Sequence, residues 1–254
     1  MRRWPDWKRW PPRYGYHEGA RIRIPPAATA MITLYHCISA RSFRPLWALE
    51  ELGLPYVLKV LPFPPRARAR EYLEINPLGT VPTFFDESMR MTESAAICQY
   101  LAARYGPTTL NVEVADPEFG PFLNWLHFGE ATLTFPQTIV LRYSRFEPEE
   151  RRLPQAAIDY TRWFLARLRG IDAALADREF LCAQRFTVAD VSVGYALMLA
   201  EVLDLESQFP EPVRTYWRRL RQRDGYQRAL AAQDRAAKEQ GVSPLPASAG
   251  FPSG

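Results

Sequence analysis

The sequence contains few of the residues on which thiol–disulfide, metal and membrane chemistry depend. Its three cysteines, Cys37, Cys98 and Cys182, form neither a CxxC pair nor a metal-ligand spacing. They therefore indicate buried free thiols in a reducing compartment, and no metal site is predicted. No apolar run approaches the length of a membrane span, and residues 1–30 lack the apolar core of a signal peptide. We expect a cytoplasmic protein without a membrane partner.

Basic charge is concentrated at the start of the chain. Residues 1–30 carry seven basic and two acidic residues, whereas the remainder carries 25 basic and 26 acidic residues. The remainder is nearly neutral, so its charge does not indicate a nucleic-acid partner. Residues 1–30 interleave arginine with tryptophan and proline, a composition that would suit nucleic acid or an anionic membrane surface. Because they lack strand or helix periodicity, we interpret them instead as a disordered extension.

From Met31 onward, strand and helix patterns alternate. The predicted elements are a buried strand at 32–36, a helix at 41–52 ended by Gly53, a strand at 56–61, an exposed Pro- and Arg-rich segment at 62–70 and a short helix at 70–73. A right-handed crossover through the first helix would make the two strands parallel.

The stretch from Asn76 to Tyr105 predicts a ligand cradle. It begins with an Asn-Pro turn and continues with a strand–strand–helix pattern whose helix begins at Ser94. A cis Val81–Pro82 bond would leave the backbone N–H and C=O of Val81 free to pair with an extended peptide. The N–H groups at the start of the helix favour a carboxylate. The stretch is therefore typical of a site for a short anionic peptide.

The rest of the chain is predicted to be helical. Pro136 should kink the first of these helices, and the Thr187 and Asp190 side chains suit a capping box. The helix that follows this box is apolar on nearly all faces, which indicates a central position. The predicted segments are a polar linker at 106–116, helices at 117–141, 153–176, 187–203, 213–220 and 226–237, and a flexible tail at 241–254.

Four motifs together resemble one known family. Residues 122–130 look like a WLHFAEG stretch, residues 186–192 match FTxADxxV, and the NPxGxVP and ESxAIxxYL patterns are matched by Asn76, Pro77, Gly79, Val81, Pro82, Glu93, Ser94, Ala96, Ile97, Tyr100 and Leu101. These motifs resemble the cytosolic glutathione transferases, in particular bacterial serine-type members, over about residues 31–242. The resemblance implies an α/β plus all-α architecture and a homodimer. An N-terminal thioredoxin-like βαβαββα domain would span 31–105, followed by the linker at 106–116 and a C-terminal helical bundle at 117–240.

The resemblance also implies a role for the SxxS segment from Ser39 to Ser42. In thioredoxin-like folds this position, at a helix N-terminus, carries the CxxC motif. Ser39 would donate a hydrogen bond to the glutathione thiolate, which then attacks an electrophilic carbon or a peroxide. Ser42 and Tyr35 are further candidates, whereas Cys37 is expected to be a packed thiol. The alternative for Ser39 is a helix cap.

Binding residues follow from the same resemblance. Val81 would pair its backbone with the cysteinyl unit of glutathione, Glu93 would bind the α-amino group and Ser94 the α-carboxylate. Pro82 belongs to the same cradle, and Thr80 stands where many members have Lys or Gln. For Glu93 and Ser94 the alternative is ordinary N-terminal capping. The second substrate is expected to be a small apolar electrophile bound near Tyr35, Trp125, Phe128 and Tyr143.

These features predict a glutathione transferase and leave two alternatives open. One is a glutathione-dependent isomerase on the same fold, against which Ala40 and Arg41 argue. The other is a transferase-like binding or regulatory protein with little activity. Ala40 and Thr80 depart from the family pattern and keep that alternative open.

Overall fold

The computed structural model describes residues 32–244, and its sheet has four strands in the order β2-β1-β3-β4. The strands are β1 Ile32–His36, β2 Tyr56–Val60, β3 Thr83–Asp86 and β4 Met89–Met91. β1 runs parallel to β2 and antiparallel to β3, and β3 and β4 are antiparallel. The predicted parallel pairing of the first two strands is confirmed.

Helix α1, Phe43–Leu52, starts two residues later than predicted. Ser39 takes a left-handed conformation with φ 54°, and successive turns follow it before the helix begins. At the other end Gly53 has φ 63° and closes the helix, as predicted.

Residues 62–74 differ from the prediction of an exposed segment. They contain helix α2, Pro65–Arg68, and a 3₁₀ turn at Arg70–Glu74 where the short helix is predicted. Pro64 and Pro65 are both buried. The fixed φ of proline suits the first turn of a helix, which explains why Pro65 starts α2.

The predicted helical run is confirmed. The last helix of the sheet half is α3 Ser94–Arg104. The helices of the run that follows are α4 Phe119–His127, α5 Phe135–Leu141, α6 Pro154–Ala174, α7 Val188–Val202, α8 Glu211–Arg221 and α9 Asp224–Glu239.

The predicted helix at 117–141 is continuous but irregular. A π-helical segment, Phe128–Thr134, joins α4 to α5, and a second one, Arg142–Phe146, follows α5. Pro136 lies in the first turn of α5. Pro136 has no N–H and therefore cannot donate the backbone hydrogen bond of a regular α-helix. The turn before Pro136 is accordingly widened into a π-helix.

Helix α7 is the central helix, as predicted, and its capping box is present. The Thr187 N–H donates to Asp190 Oδ2 at 2.8 Å, and the Ala189 N–H donates to Thr187 Oγ1 at 3.3 Å. A Cβ placed on Gly129 would lie 2.4 Å from Ser192 Oγ of α7. The first π-helical segment therefore rests directly on α7.

The three cysteines are buried and unpaired, which confirms the prediction of free thiols. Within residues 32–244, no group of His, Cys, Asp or Glu side chains is arranged to hold a metal ion. Across the same residues, no helix combines the length and the apolar character needed to cross a membrane.

The expected extension at 1–30 lies outside the described residues, as does most of the tail, from 245 onward. The division into a domain at 31–105, a linker at 106–116 and a domain at 117–240 stays a prediction. The strands and α1–α3 precede this linker, and α4–α9 follow it.

Candidate functional site

A cavity of about 620 Å³ opens next to the loop that follows β1. One wall comes from the sheet half, through residues 39–41, 63–67 and 79–81. The opposite wall comes from α5, the second π-helical segment and α7, mainly through Leu141, Arg142, Phe146, Glu147, Tyr195 and Leu199. The cavity wall therefore brings together three of the predicted site residues, Ser39, Thr80 and Val81.

The loop at residues 37–42 is held from behind by Gln233 of α9. Gln233 Oε1 accepts the Ser39 N–H at 3.1 Å and lies 3.1 Å from His36 Nε2. An atom that accepts a backbone N–H must be the amide oxygen, so His36 Nε2 carries the ring proton. His36 Nδ1 then accepts the Ser42 hydroxyl at 2.8 Å, while Ser42 Oγ accepts the Cys37 N–H at 3.3 Å. The Ser42 hydroxyl donates its proton to the hydrogen bond with His36, and the fully buried Ser42 side chain holds the loop in place.

Burial fixes the protonation states of His36 and Cys37. Desolvation lowers the pKa of His36 to about 4, and hydrogen bonds to Gln233 and Ser42 only partly oppose it. Desolvation also raises the pKa of Cys37 to about 12. His36 is therefore neutral near neutral pH, and the Cys37 thiol stays protonated.

Ser39 differs from Ser42 because it lies in the cavity wall. Its hydroxyl makes no hydrogen bond with any residue between 32 and 244, although its backbone N–H and C=O are both engaged. The C=O accepts the Tyr195 hydroxyl at 3.4 Å, and burial raises the pKa of Tyr195 to about 12, so this donor keeps its proton. Helix α1 begins at Phe43 with Ser42 as its N-cap residue, so Ser39 does not cap it. Ser39 thus presents an uncommitted hydroxyl to the cavity.

The segment at residues 79–81 forms the edge of the predicted cradle. The Val81–Pro82 bond is cis, as predicted. In the described part of the chain, neither the N–H nor the C=O of Val81 makes a hydrogen bond. The neighbouring Thr80 C=O is fixed by the Tyr72 hydroxyl and by Asn76 Nδ2, each at 2.8 Å. The backbone of Val81 is therefore held in place with its polar groups available to a ligand.

The start of α3 lies outside the cavity wall. Ser94 is buried, and the exposed Glu93 precedes it as the N-cap residue. Ser94 Oγ accepts a hydrogen bond from Arg44 Nη1 at 3.2 Å, so its own proton remains for another acceptor. Glu93 contributes to the raised pKa of Arg41, a residue of the cavity wall.

Glu130 of the first π-helical segment joins two arginines behind the cavity. Its carboxylate lies 2.6 Å from Arg41 Nε and 2.5 Å from Arg44 Nη1. Burial opposes these charges, but the mutual attraction outweighs it, lowering the pKa of Glu130 and raising that of Arg41. The fully buried Arg44 also donates to Thr134 Oγ1 at 2.7 Å and to the carbonyls of Gly129 and Ser192 at 3.2 Å. A fully satisfied network of this kind holds α1, α7 and the π-helical segment in one arrangement.

The four aromatic residues predicted to bind a second substrate do not line this cavity. Tyr35 packs against Tyr72, with the two ring centroids 5.4 Å apart. Trp125 and Phe128 pack against each other at 5.0 Å. Tyr143 lies in the second π-helical segment, where Arg142 and Phe146 line the cavity but Tyr143 does not.

Sequence reasoning missed several residues of the cavity and its support. Arg44 carries a signal that could have found it, because a charged residue between the apolar Phe43 and Leu46 of a buried helix face requires a partner. No local signal marks Gln233, which lies nearly two hundred positions from its partners. Other missed residues of the cavity wall are Phe63, Arg66, Thr138, Leu141, Arg142, Phe146, Glu147, Tyr195 and Leu199.

Comparison with known proteins agrees with this arrangement. Residues 38–104 match the family described as "Glutathione S-transferase, N-terminal domain". Glutathione S-transferase 3 of Schizosaccharomyces pombe is 30% identical over 213 residues, which cover 75% of this chain and 82% of that protein. The chain belongs to the glutathione S-transferase family. Glutathione S-transferase GstB of Escherichia coli is 32% identical over 171 residues, covering 65% of this chain and 80% of that protein.

Solved structures of glutathione transferases share the fold. The glutathione transferase URE2P6 of Phanerochaete chrysosporium, solved in complex with oxidized glutathione, superposes with a TM-score of 0.72 at 25% identity. The superposition covers 82% of this chain and 98% of that one. This glutathione S-transferase thus combines a thioredoxin-like sheet half with a helical half, and glutathione is its co-substrate.

Proposed function

We propose that this glutathione S-transferase is a serine-type enzyme in which the Ser39 hydroxyl donates a hydrogen bond to the thiolate of bound glutathione. The observation that supports this role is the uncommitted Ser39 hydroxyl in the cavity wall, beside a Ser42 hydroxyl already given to His36. A donor aimed at the sulfur favours the thiolate over the thiol. The thiolate forms a C–S bond with an electrophilic carbon, and the leaving group departs with its electron pair. The same thiolate can attack a peroxide oxygen instead, which forms an S–O bond, breaks the O–O bond and releases the alkoxide, so that the peroxide is reduced and the sulfur oxidised.

Glutathione would lie along the segment at residues 79–81. The free N–H and C=O of Val81, next to the cis Pro82, pair with the cysteinyl unit as a neighbouring strand would. At the γ-glutamyl end, Glu93 binds the α-amino group and Ser94 donates its free proton to the α-carboxylate. Thr80 supplies backbone rather than a charged side chain to this site.

The other end of glutathione is assigned to Arg66. This residue lines the cavity beside Gly79, where an added Cβ would meet Arg66 Cβ at 2.6 Å. The Arg66 side chain is exposed and forms no ion pair with any described residue. Its charge suits the glycyl carboxylate.

A small apolar electrophile would occupy the opposite side of the cavity. Phe63 from the sheet half contacts Phe146 from the helical half there, with the two ring centroids 5.3 Å apart, and Leu141 and Leu199 line the same side. Their apolar side chains replace the four aromatic residues expected from the sequence. We further propose a cytoplasmic homodimer, the state that the family resemblance implies.

The test is the ultraviolet thiolate band of bound glutathione, titrated with pH in the wild type and in Ser39→Ala. Losing one charge-assisted hydrogen bond should raise the pKa of the bound thiol by about one to two pH units. The backbone bonds of residue 39 to Gln233 and Tyr195 survive this substitution, so the loop should keep its shape.

Thr138→Val is the matched control. Thr138 also lines the cavity, but its hydroxyl is already donated to the Phe135 carbonyl at 2.7 Å. The control should keep the wild-type titration. An unchanged titration in Ser39→Ala would assign thiol activation to another group, such as the backbone N–H of Arg41, and would refute the role of Ser39.

A further inference from the structure

The helical wall of the cavity is not purely apolar. Beside Leu141, Phe146 and Leu199 it carries two charged residues, Arg142 and Glu147. Arg142 is the first residue of the second π-helical segment and Glu147 follows its last residue, and the pair lies at the mouth of the cavity. The Arg142 side chain is 55% exposed there, whereas that of Glu147 is 14% exposed.

The charge at this mouth is not balanced. Glu147 accepts from Arg142 Nε at 2.9 Å and lies 3.3 Å from the Nε of a second arginine, Arg151. Two cations thus share a single carboxylate, which leaves one positive charge in excess. The terminal nitrogens of Arg142 donate to no residue between 32 and 244. They retain hydrogen-bond donors in the planar geometry that suits a carboxylate.

The other two arginines of the cavity lie in the wall that comes from the sheet half. Arg41 is paired with Glu130, and Arg66 lies beside Gly79 at the edge that the proposed function gives to glutathione. Arg142 is therefore the cation on the side of the cavity where the apolar residues of the helical wall lie.

We propose that the second substrate is an apolar electrophile that also carries a carboxylate, and that Arg142 binds this carboxylate at the cavity mouth. The inference rests on the proposed transferase function. The apolar body of such a substrate contacts Leu141, Phe146 and Leu199, which places its anionic end toward the solvent side. Arg142 is a specificity residue, because it selects the substrate without touching the reacting carbon.

An anionic probe and its neutral methyl ester test the inference. These are 4-chloro-3,5-dinitrobenzoate and its methyl ester; in each the glutathione thiolate forms a C–S bond and chloride leaves with its electron pair. The ratio of the KM values for the acid and the ester is measured in the wild type and in Arg142→Gln. R142Q should raise this ratio about fivefold, the change in affinity expected from the loss of one partly exposed ion pair. The fold should survive, because Glu147 keeps Arg151 as a partner.

Two further variants sharpen the test. Arg151→Gln removes the second arginine from the same carboxylate and leaves Arg142 balanced by Glu147, but Arg151 is not part of the cavity wall, so the ratio should rise by less than in R142Q. Glu147→Gln releases Arg142 from its partner and should lower the ratio. Opposite effects of R142Q and E147Q cannot arise from a general loss of structure.

Four results would overturn the inference. An equal rise of both KM values in R142Q would give Arg142 a structural role only. A change of the ratio in Arg66→Gln, with none in R142Q, would place the anion on the glutathione side. If the wild type turned over the ester but showed no dependence of the ratio on residue 142, the inference alone would fail. If it turned over neither probe, the proposed function would fail with it.

Discussion

Protonation of His36 at low pH should weaken this fold. The His36 ring is fully buried between the Ser42 hydroxyl and Gln233 Oε1, at 2.8 and 3.1 Å. Protonation would put a hydrogen on Nδ1, the atom that accepts the Ser42 hydroxyl, and would place a charge in the core. Burial therefore lowers the pKa of His36 from 6.5 to about 4.

The sign of the effect follows from the proton balance. Between pH 6.5 and 4 the unfolded chain protonates this histidine while the folded chain does not, so the unfolded state binds more protons. The free energy of unfolding should therefore fall as the pH is lowered through this window. At about 1.36 kcal/mol per pH unit, the contribution lost by pH 4 is about 3 kcal/mol, and about 2 kcal/mol of it is lost by pH 5. That is a large share of the stability of a typical domain.

Urea unfolding at pH 7.5 and pH 5.0 measures this contribution. The stability lost between the two pH values is compared in the wild type and in His36→Gln, which removes the titrating ring. The loss should be about 2 kcal/mol smaller in H36Q, whatever its absolute stability. His127→Gln, which removes an exposed histidine, should keep the wild-type loss. An equal loss in H36Q and in the wild type would refute the buried, neutral state of His36.

Two further predictions concern packing and the loop. Gly129→Ala should lower the free energy of unfolding by about 3 kcal/mol, because the added Cβ would lie 2.4 Å from Ser192 Oγ. Gly120→Ala, whose Cβ would meet nothing within 4 Å, should be neutral or slightly stabilising in urea unfolding, and equal effects of the two substitutions would contradict the close approach. Gln233→Leu leaves the Ser39 N–H and a ring N–H without their acceptor, which should cost about 2–4 kcal/mol and raise the pKa of the bound thiol. Unchanged unfolding and an unchanged thiolate titration in Q233L would show that α9 does not hold the loop.

The order of the elements could be predicted from the sequence because its signals are local. The strand of Ile32–His36, the Gly53 helix end and the Thr187–Asp190 capping box depend on neighbouring residues, and the structure contains all three. The main error was segment 62–70, where a Pro- and Arg-rich composition indicated exposure. Two of its prolines are buried and one starts a helix, because proline favours a first helical turn as much as a loop.

The helical wall of the cavity could not be predicted in the same way. Which side of a helix faces a cavity depends on how that helix packs against others. The two π-helical segments add to this difficulty, since each wider turn rotates every later side chain relative to a regular helix. The sequence indicated Tyr143 for this wall, whereas Arg142 and Phe146 line it.

By itself the sequence determined the fold, the cradle at Val81 and the placement of a serine pair at the start of α1, because each depends on a short run of residues. Only the tertiary structure showed that the hydroxyls of Ser39 and Ser42 differ in their hydrogen bonds. Ser42 gives its proton to His36, and Gln233, nearly two hundred residues away, holds the Ser39 backbone while the Ser39 hydroxyl stays uncommitted. A hydrogen bond between distant segments leaves no periodic or local pattern, so its partners become known only when the chain is folded.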